Sequence, residues 1–528
     1  MKLRSLISTL ALIFVILVTT GFSFGGNNTS AITLQPKGAI FVGQQAPVMV
    51  SLLNNPESLA KFWSYIADKN GNFNKFKQSF LNNTGLDYQK DVQPWLGNEI
   101  TLAVTSLDFD HNPSNGQQPG YLLILNSKNQ VKSKEFLQLF WQKQSVDQDN
   151  LVFDEYEGVK IIYSKDSLAS AIVGQGFVLF ANHPKVLREA INNVQANINL
   201  NDSASYQKSL QTLTSSRLGL IFFNLPEITT KLGEDEKSIN EYQGLGISIS
   251  LTPKGLELDT ALLGKDIIAQ SPLLTAPIPA LKYLPEKSNL VASGVNLNQL
   301  LAQLTNNKLW GKLAEKQLHK IEQKWDIKLN EDIFKWTTGE YALGMIQRPN
   351  SKEKDWIFIT EKNADVQSGI DQLDLKAKNK GFSLSILPLG QQNITAWTKL
   401  ITTKSQGKSD GLYSLIAQVE GVHTTLGKYE IFTSSVETMD LVLKSDKKSI
   451  LNQENLANVI KNFPAENDGY LYIDWQKNGE IITNEVRILK LAKFVAKPFF
   501  EQLRSLIISS YGSDTGIQRS KVFLQFIP

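Results

Sequence analysis

The side chains best placed to act together chemically occur as two copies of one short pattern. Trp95 and Glu99 stand four residues apart in PWLGNE, and Trp336 and Glu340 stand four apart in KWTTGE. Each pair sets a carboxylate at the mouth of a strand, just after a bulky ring. Two such carboxylates facing one another would form an acid/base pair, because neighbouring carboxylates drive their pKa values apart. A plainer role fits the same residues. The indole plugs a join between helix and sheet, Gly97 or Gly339 permits a turn, and the glutamate accepts backbone N–H groups. Presence at both sites favours the plainer role, since a fold element must be kept twice and an active site need not be.

Other catalytic sets lack parts. His111, His183, His319 and His423 are scattered, with no H-E-x-x-H and no partner at helical spacing. Asp108, Asp110 and His111 share the polar loop DFDHNPSN, which reads as solvated rather than as a calcium loop, because the required glycine and glutamate are missing. S-x-x-K occurs at Ser58, Ser205, Ser351, Ser405 and Ser445, yet none is completed by S-D-N and K-T-G. The P-loop and G-x-G-x-x-G are absent. With no cysteine, thiolate metal sites, disulfides and a cysteine nucleophile are excluded. No catalytic residue, metal or cofactor is therefore expected, and the ligand-binding residues stay unassigned. The 54 basic against 51 acidic residues leave a formal charge of +3, which argues against a nucleic-acid partner.

The elements that position these residues begin with an export segment. Lys2 and Arg4 precede the uncharged stretch from Ser5 to Phe24, long enough as a helix to span the roughly 30 Å hydrocarbon core. The positive flank predicts a cytoplasmic N-terminus and a body on the far side of a membrane. A retained single-pass anchor and a cleaved signal peptide both fit residues 1–30, the second releasing the body into the periplasm.

The body reads as a duplication. Trp95 aligns on Trp336, Glu99 on Glu340 and Leu102 on Leu343; PVMVSLL from Pro47 aligns with NLVASGV from Asn289, and Tyr121 with Trp356. Further on, Phe180 meets Phe432, RLGLIFFN from Arg217 meets NDGYLYID, and LELDTALL from Leu256 meets KVFLQF from Lys521. The expected organisation is an α+β repeat over 31–265, a proline-rich linker over 266–285 and a second repeat over 286–528. Short turns such as Glu157-Gly158 predict antiparallel sheets with helices packed on one face. The copies differ near the C-terminus. There Ile488, Leu491, Val495, Phe499, Leu503 and Leu506 predict one apolar helix face, opposite a basic stripe of Arg487, Lys490, Lys493, Lys497 and Arg504. That stripe suits an anionic membrane surface or a partner, and equally a solvated helix covering a sheet.

The passage from Pro36 to Pro56, with PWLGNE from Pro94, resembles the cyanobacterial DUF3352 family and its recurring W-x-G-x-E element. The second copy departs from that element, carrying its glycine one place later in W-T-T-G-E. The resemblance implies a membrane-anchored bacterial protein of uncharacterised function, with its body in the periplasm or thylakoid lumen, and brings no catalytic residues. The expected function is a non-enzymatic, tethered binding or scaffold protein serving an envelope or thylakoid membrane complex. The alternatives are a carrier or sensor of an apolar ligand such as a lipid or pigment, and a hydrolase of unrecognised type using Glu99 or Glu340.

Overall fold

The computed structural model describes residues 35–526 apart from 55–85, 230–241, 299–314, 405–412, 486–496 and several shorter stretches. All of the export segment and most of the basic stripe therefore lie outside the described residues. Among the described residues no helix is long and apolar enough to cross a membrane. The chain forms an α+β fold with mainly antiparallel sheet, divided into two compact units: Met1–Gln270 with Arg487–Arg504 and Ser513–Pro528, and Ser271–Val486 with Ser505–Gly512.

In the first unit the strands are β1 (Val48–Leu52), β2 (Leu96–Ser106), β3 (Gly120–Ser127), β4 (Leu151–Tyr156), β5 (Val159–Ser164), β6 (Ala169–Val173), β7 (Phe177–Ala181), β8 (Gly219–Phe223), β9 (Tyr242–Thr252) and β10 (Gly255–Gly264). Neighbours run β4-β5-β6-β7-β3-β2-β1-β8-β9-β10, every pair antiparallel. The turn between β4 and β5 is the Glu157-Gly158 pair, both with positive φ, the type I′ geometry that suits a tight hairpin. Helices α1 (Gln130–Gln144), α2 (Pro184–Gln195) and α3 (Ala204–Thr212) cover the sheet. One core gathers Leu187, Ile191, Tyr206 and Phe222 around α2 and α3; another gathers Trp95, Phe136, Phe140 and Trp141 around α1.

The second unit contains β11 (Leu290–Val295), β12 (Glu340–Gln347), β13 (Lys354–Glu361), β14 (Ser383–Leu389), β15 (Gln392–Lys404), β16 (Tyr413–Leu426), β17 (Tyr429–Thr433), β18 (Tyr470–Asp474) and β19 (Leu503–Asp514). Its neighbours run β14-β15-β16-β17-β13-β12-β11-β18-β19, the same order with the same senses. Helix α4 (Ala364–Asn379) follows β13 as α1 follows β3, and α5 (Val436–Leu443) follows β17. Both are capped from their first residues: Asn363 accepts the Val366 N–H at 2.9 Å and Ser435 the Thr438 N–H at 3.1 Å. Asp355, only 1% exposed, ties β13 to this cap. It accepts from Arg348, Ser434, Ser435 and Thr438. Burial pushes its carboxyl up, but the Arg348 guanidinium and the three hydroxyls outweigh that and hold it down at about 2.

Two sequence expectations are corrected here. The proline-rich stretch 266–285 is only partly a connector, because Pro279–Tyr283 forms a 3-10 turn with Ala280 and Leu281 buried beside Ile278 and Leu284. Its apolar residues make it core, and the prolines serve to start the turn. The segment KVFLQF is in β20 (Ile517–Phe526), which pairs with β10 in the first unit, Leu256 facing Leu524 and Asp259 facing Lys521. The two segments aligned as equivalents are also neighbours, which leaves the alignment untouched. The expected apolar helix face through Leu506 ends early: α6 (Lys497–Gln502) stops and β19 begins at Leu503. Leu503, Ser505, Ile507 and Ser509 are buried in alternation, a period of two that the 3.6-residue reading missed.

Candidate functional site

Trp95 and Trp336 are buried plugs. The Trp95 indole N–H donates to the Asp91 carbonyl at 2.8 Å, and Trp336 donates to the Asp332 carbonyl at 2.5 Å, each four residues back. Asp91 and Asp332 accept the N–H groups of Asp87 and Lys328, closing each lead-in turn. Gly97 and Gly339 do not adopt positive φ, so their purpose is close approach rather than the expected turn. A Cβ on Gly97 would come within 2.3 Å of Asn126 Oδ1, and one on Gly339 within 2.8 Å of Glu361 Oε2.

The two glutamates are used differently. Glu99, 7% exposed, accepts the N–H groups of Lys37 and Gly38 at 2.9 and 2.6 Å, binding β2 to the 3-10 turn Lys37–Phe41. Burial raises its pKa, and those N–H groups with Thr101 only partly oppose the rise. Glu340 accepts from the Tyr429 hydroxyl and lies 3.2 Å from Lys428 Nζ, which also pairs with Glu361 at 3.0 Å. Burial and the Glu340 carboxylate both push the Tyr429 hydroxyl up. Each glutamate is thus fixed within its own unit.

The remaining singled-out residues are dispersed. Asp110 accepts the Asn112 N–H and the Asn115 amide, and Asp108 accepts the Gln118 N–H, so this loop spends both carboxylates on its own shape. Among the described residues no three His, Asp or Glu side chains cluster as metal ligands. Of the basic stripe, Arg487, Lys490 and Lys493 lie outside the described residues, Lys497 opens α6, and Arg504 stands exposed on β19 rather than on a helix.

What the structure does assemble is an apolar cavity of about 270 Å³ between α4 and the sheet of the second unit. Trp336, Trp356 and Trp397 line it with Phe334, Phe358, Phe382 and Phe432, and aliphatic side chains such as Leu343 and Leu373 complete the wall. Phe358 stacks on Phe432 at 5.6 Å between centroids, with Trp336 6.1 Å from Phe358 and Trp397 6.5 Å from Phe432. The Trp397 N–H donates to Asp374 at 2.7 Å, which fixes its ring. Burial raises the Asp374 carboxyl, but His423 and this indole bond hold it below the usual range. Polar groups enter the lining only at Lys376, Lys380 and Glu420, and Lys376 is held by Asp332 at 2.5 Å.

The hollow has a simple cause. On α1 the side chains Phe136, Phe140 and Trp141 reach the sheet and fill it, Phe136 lying 4.7 Å from Trp95. On α4 the residues turned inward are Gly369, Ile370, Leu373 and Ala377. A Cβ on Gly369 would meet the Trp336 indole nitrogen at 2.5 Å, so this ring lies directly against the helix backbone. Smaller inward residues over an equally aromatic sheet leave unfilled volume. Sequence reasoning missed this site, although comparing the inward positions of the two helices would have exposed the loss of bulk.

The volume lies just under the roughly 300–1,000 Å³ of small-molecule sites, which are mostly apolar and largely pre-formed. Such a wall binds chiefly by excluding water.

No curated protein matches the chain in sequence. Among solved structures, crystal forms III, I and IV of TP0453 are similar at 10%, 12% and 10% identity, with TM-scores of 0.25, 0.25 and 0.24. They cover 45%, 45% and 44% of this chain and 82%, 82% and 81% of theirs, a superposition too loose to support a statement about fold or function. The family model described as "Protein of unknown function (DUF3352)" matches residues 6–526, nearly the whole sequence, and the chain belongs to that family.

Proposed function

We propose that this is a non-enzymatic, membrane-tethered protein made by tandem duplication of one α+β module, whose second module holds an apolar ligand. The observation that carries the reading is the aromatic-walled cavity under α4. The duplication is supported by the common strand order and by the indole bonds to Asp91 and Asp332. The tether rests on Ser5–Phe24 and its basic flank, with the body in the periplasm or thylakoid lumen.

Native mass spectrometry of protein purified in mild detergent tests the reading, together with solvent extraction of the same sample. A bound apolar molecule is expected from the full chain and from none of a variant in which Ala377→Trp fills the cavity. Absence of any bound molecule, and no uptake of added apolar probes, would remove it.

A scaffolding role is favoured by a different observation. Beyond the end of β14, the β15–β16 ribbon carries Leu400, Leu415 and Ile416 exposed to solvent, and exposed apolar clusters mark contact surfaces. Crosslinking in mild detergent is expected to recover a partner through this ribbon, and a clean monomer counts against it.

A further inference from the structure

We infer that the cavity of the second unit selects a rigid, planar, conjugated ligand over a flexible saturated chain; this rests on the ligand-binding reading above. The ground is the kind of wall the residues make. Seven of the lining side chains are aromatic: Trp336, Trp356, Trp397, Phe334, Phe358, Phe382 and Phe432. A cavity that only needed to be greasy could be lined by leucine and valine. Rings present flat faces and have few rotatable bonds, so they form a pre-organised slot.

That slot is held open from several sides. Phe358 and Phe432 stack with planes 23° apart, and Trp397 is tilted 37° from Phe432. The Trp397 and Trp336 N–H groups are engaged by Asp374 and the Asp332 carbonyl, which pins both indoles. A planar guest meets these rings in offset-stacked or edge-to-face contact, each worth a few-fold in affinity beyond the area it buries. A saturated chain of equal area gains no such term and loses rotamer freedom on confinement. Of the polar lining groups Lys376, Lys380 and Glu420, Lys376 is already held by Asp332, so the selection falls on the body of the guest.

The test uses the full chain and two neutral probes, N-phenyl-1-naphthylamine and 1-dodecanol, with binding followed by tryptophan fluorescence and native mass spectrometry. The expected result is at least about tenfold tighter binding of the naphthyl probe. Trp356→Leu should narrow that preference about threefold to tenfold, and Trp356→Phe should restore most of it. Trp356 is chosen because it lines the cavity and is only partly buried. Ala377→Trp should block both probes. If dodecanol binds as tightly as the naphthyl probe or tighter, and Ala377→Trp blocks both, the preference for conjugated guests is overturned while ligand binding stands. If neither probe binds, or Ala377→Trp changes nothing, the ligand-binding reading itself falls.

Discussion

The two units order their strands alike and differ in what lies beneath one helix. In the first, α1 presses Phe136, Phe140 and Trp141 into a buried aromatic cluster on the sheet. In the second, α4 offers Gly369, Leu373 and Ala377 over a sheet just as aromatic, and the space stays open. The difference teaches that a layer can keep its strand order and its tryptophan plug while exchanging packing for a chamber. The exchange takes place on one helix face and leaves the sheet alone.

The largest effects that bear on this contrast come from the plugs. Trp95→Ala is expected to cost about 3–5 kcal/mol, the range for truncating a fully packed aromatic. Trp336→Ala should cost at least about 1 kcal/mol less, because part of its ring already faces open volume and has fewer atoms to lose. Denaturant titration of both variants measures the gap, and equal costs would mean that the second unit is packed after all.

Next in size is the buried network around Asp355 in the second unit. Asp355→Ala should cost about 3 kcal/mol, since it leaves Arg348 and three hydroxyls without their acceptor. Glu99→Gln in the first unit should cost about 1 kcal/mol, because an amide oxygen still accepts from the 3-10 turn.

These two acids also predict opposite responses to pH. The Asp355 value is depressed in the fold, so its contribution of about 2 kcal/mol is present above 3.8 and is lost as the pH falls through about 2. The Glu99 value is raised, so its contribution is fully present below 4.5 and is lost as the pH rises through the folded value. Melting curves between pH 2 and 7 should show the advantage of wild type over Asp355→Asn shrinking in acid. Relative to Glu99→Gln, wild type should gain stability as the pH falls. Parallel slopes would show that the two carboxyls share one environment.

A last pair of variants is the most direct probe of volume. Leu137→Phe overpacks the first unit and should destabilise it by about 1–3 kcal/mol. Leu373→Phe enters the cavity of the second and should be neutral or stabilising by up to about 1 kcal/mol. If both variants destabilise alike, the chamber is closed in solution.

Much of this contrast was legible in the chain, and some was not. The pairing of Trp95 with Trp336 and of Tyr121 with Trp356 could be read because each sits at a fixed point between a polar lead-in and a strand. In the structure the Tyr121 and Trp356 N–H groups donate to Asn182 and Ser434. The strand at Leu503 was hidden because its apolar residues also satisfy helical spacing when read with the segment before it. The buried turn at Pro279–Tyr283 was hidden because prolines that start a 3-10 turn look like those of a linker. The cavity was hidden for a different reason. Aromatic residues on strands announce a core, and only the small residues on a helix far along the chain reveal that the core is unfinished.

The seating of β20 against β10 has a temporal consequence. Thr260 and Ser520 are 260 residues apart, yet the hydroxyl of one donates to the carbonyl of the other. During synthesis, β10 waits with an open hydrogen-bonding edge until β20 has emerged, so the first unit cannot be completed as it is made. Chaperone demand and vulnerability to proteases should therefore concentrate at that edge in nascent or C-terminally clipped chains.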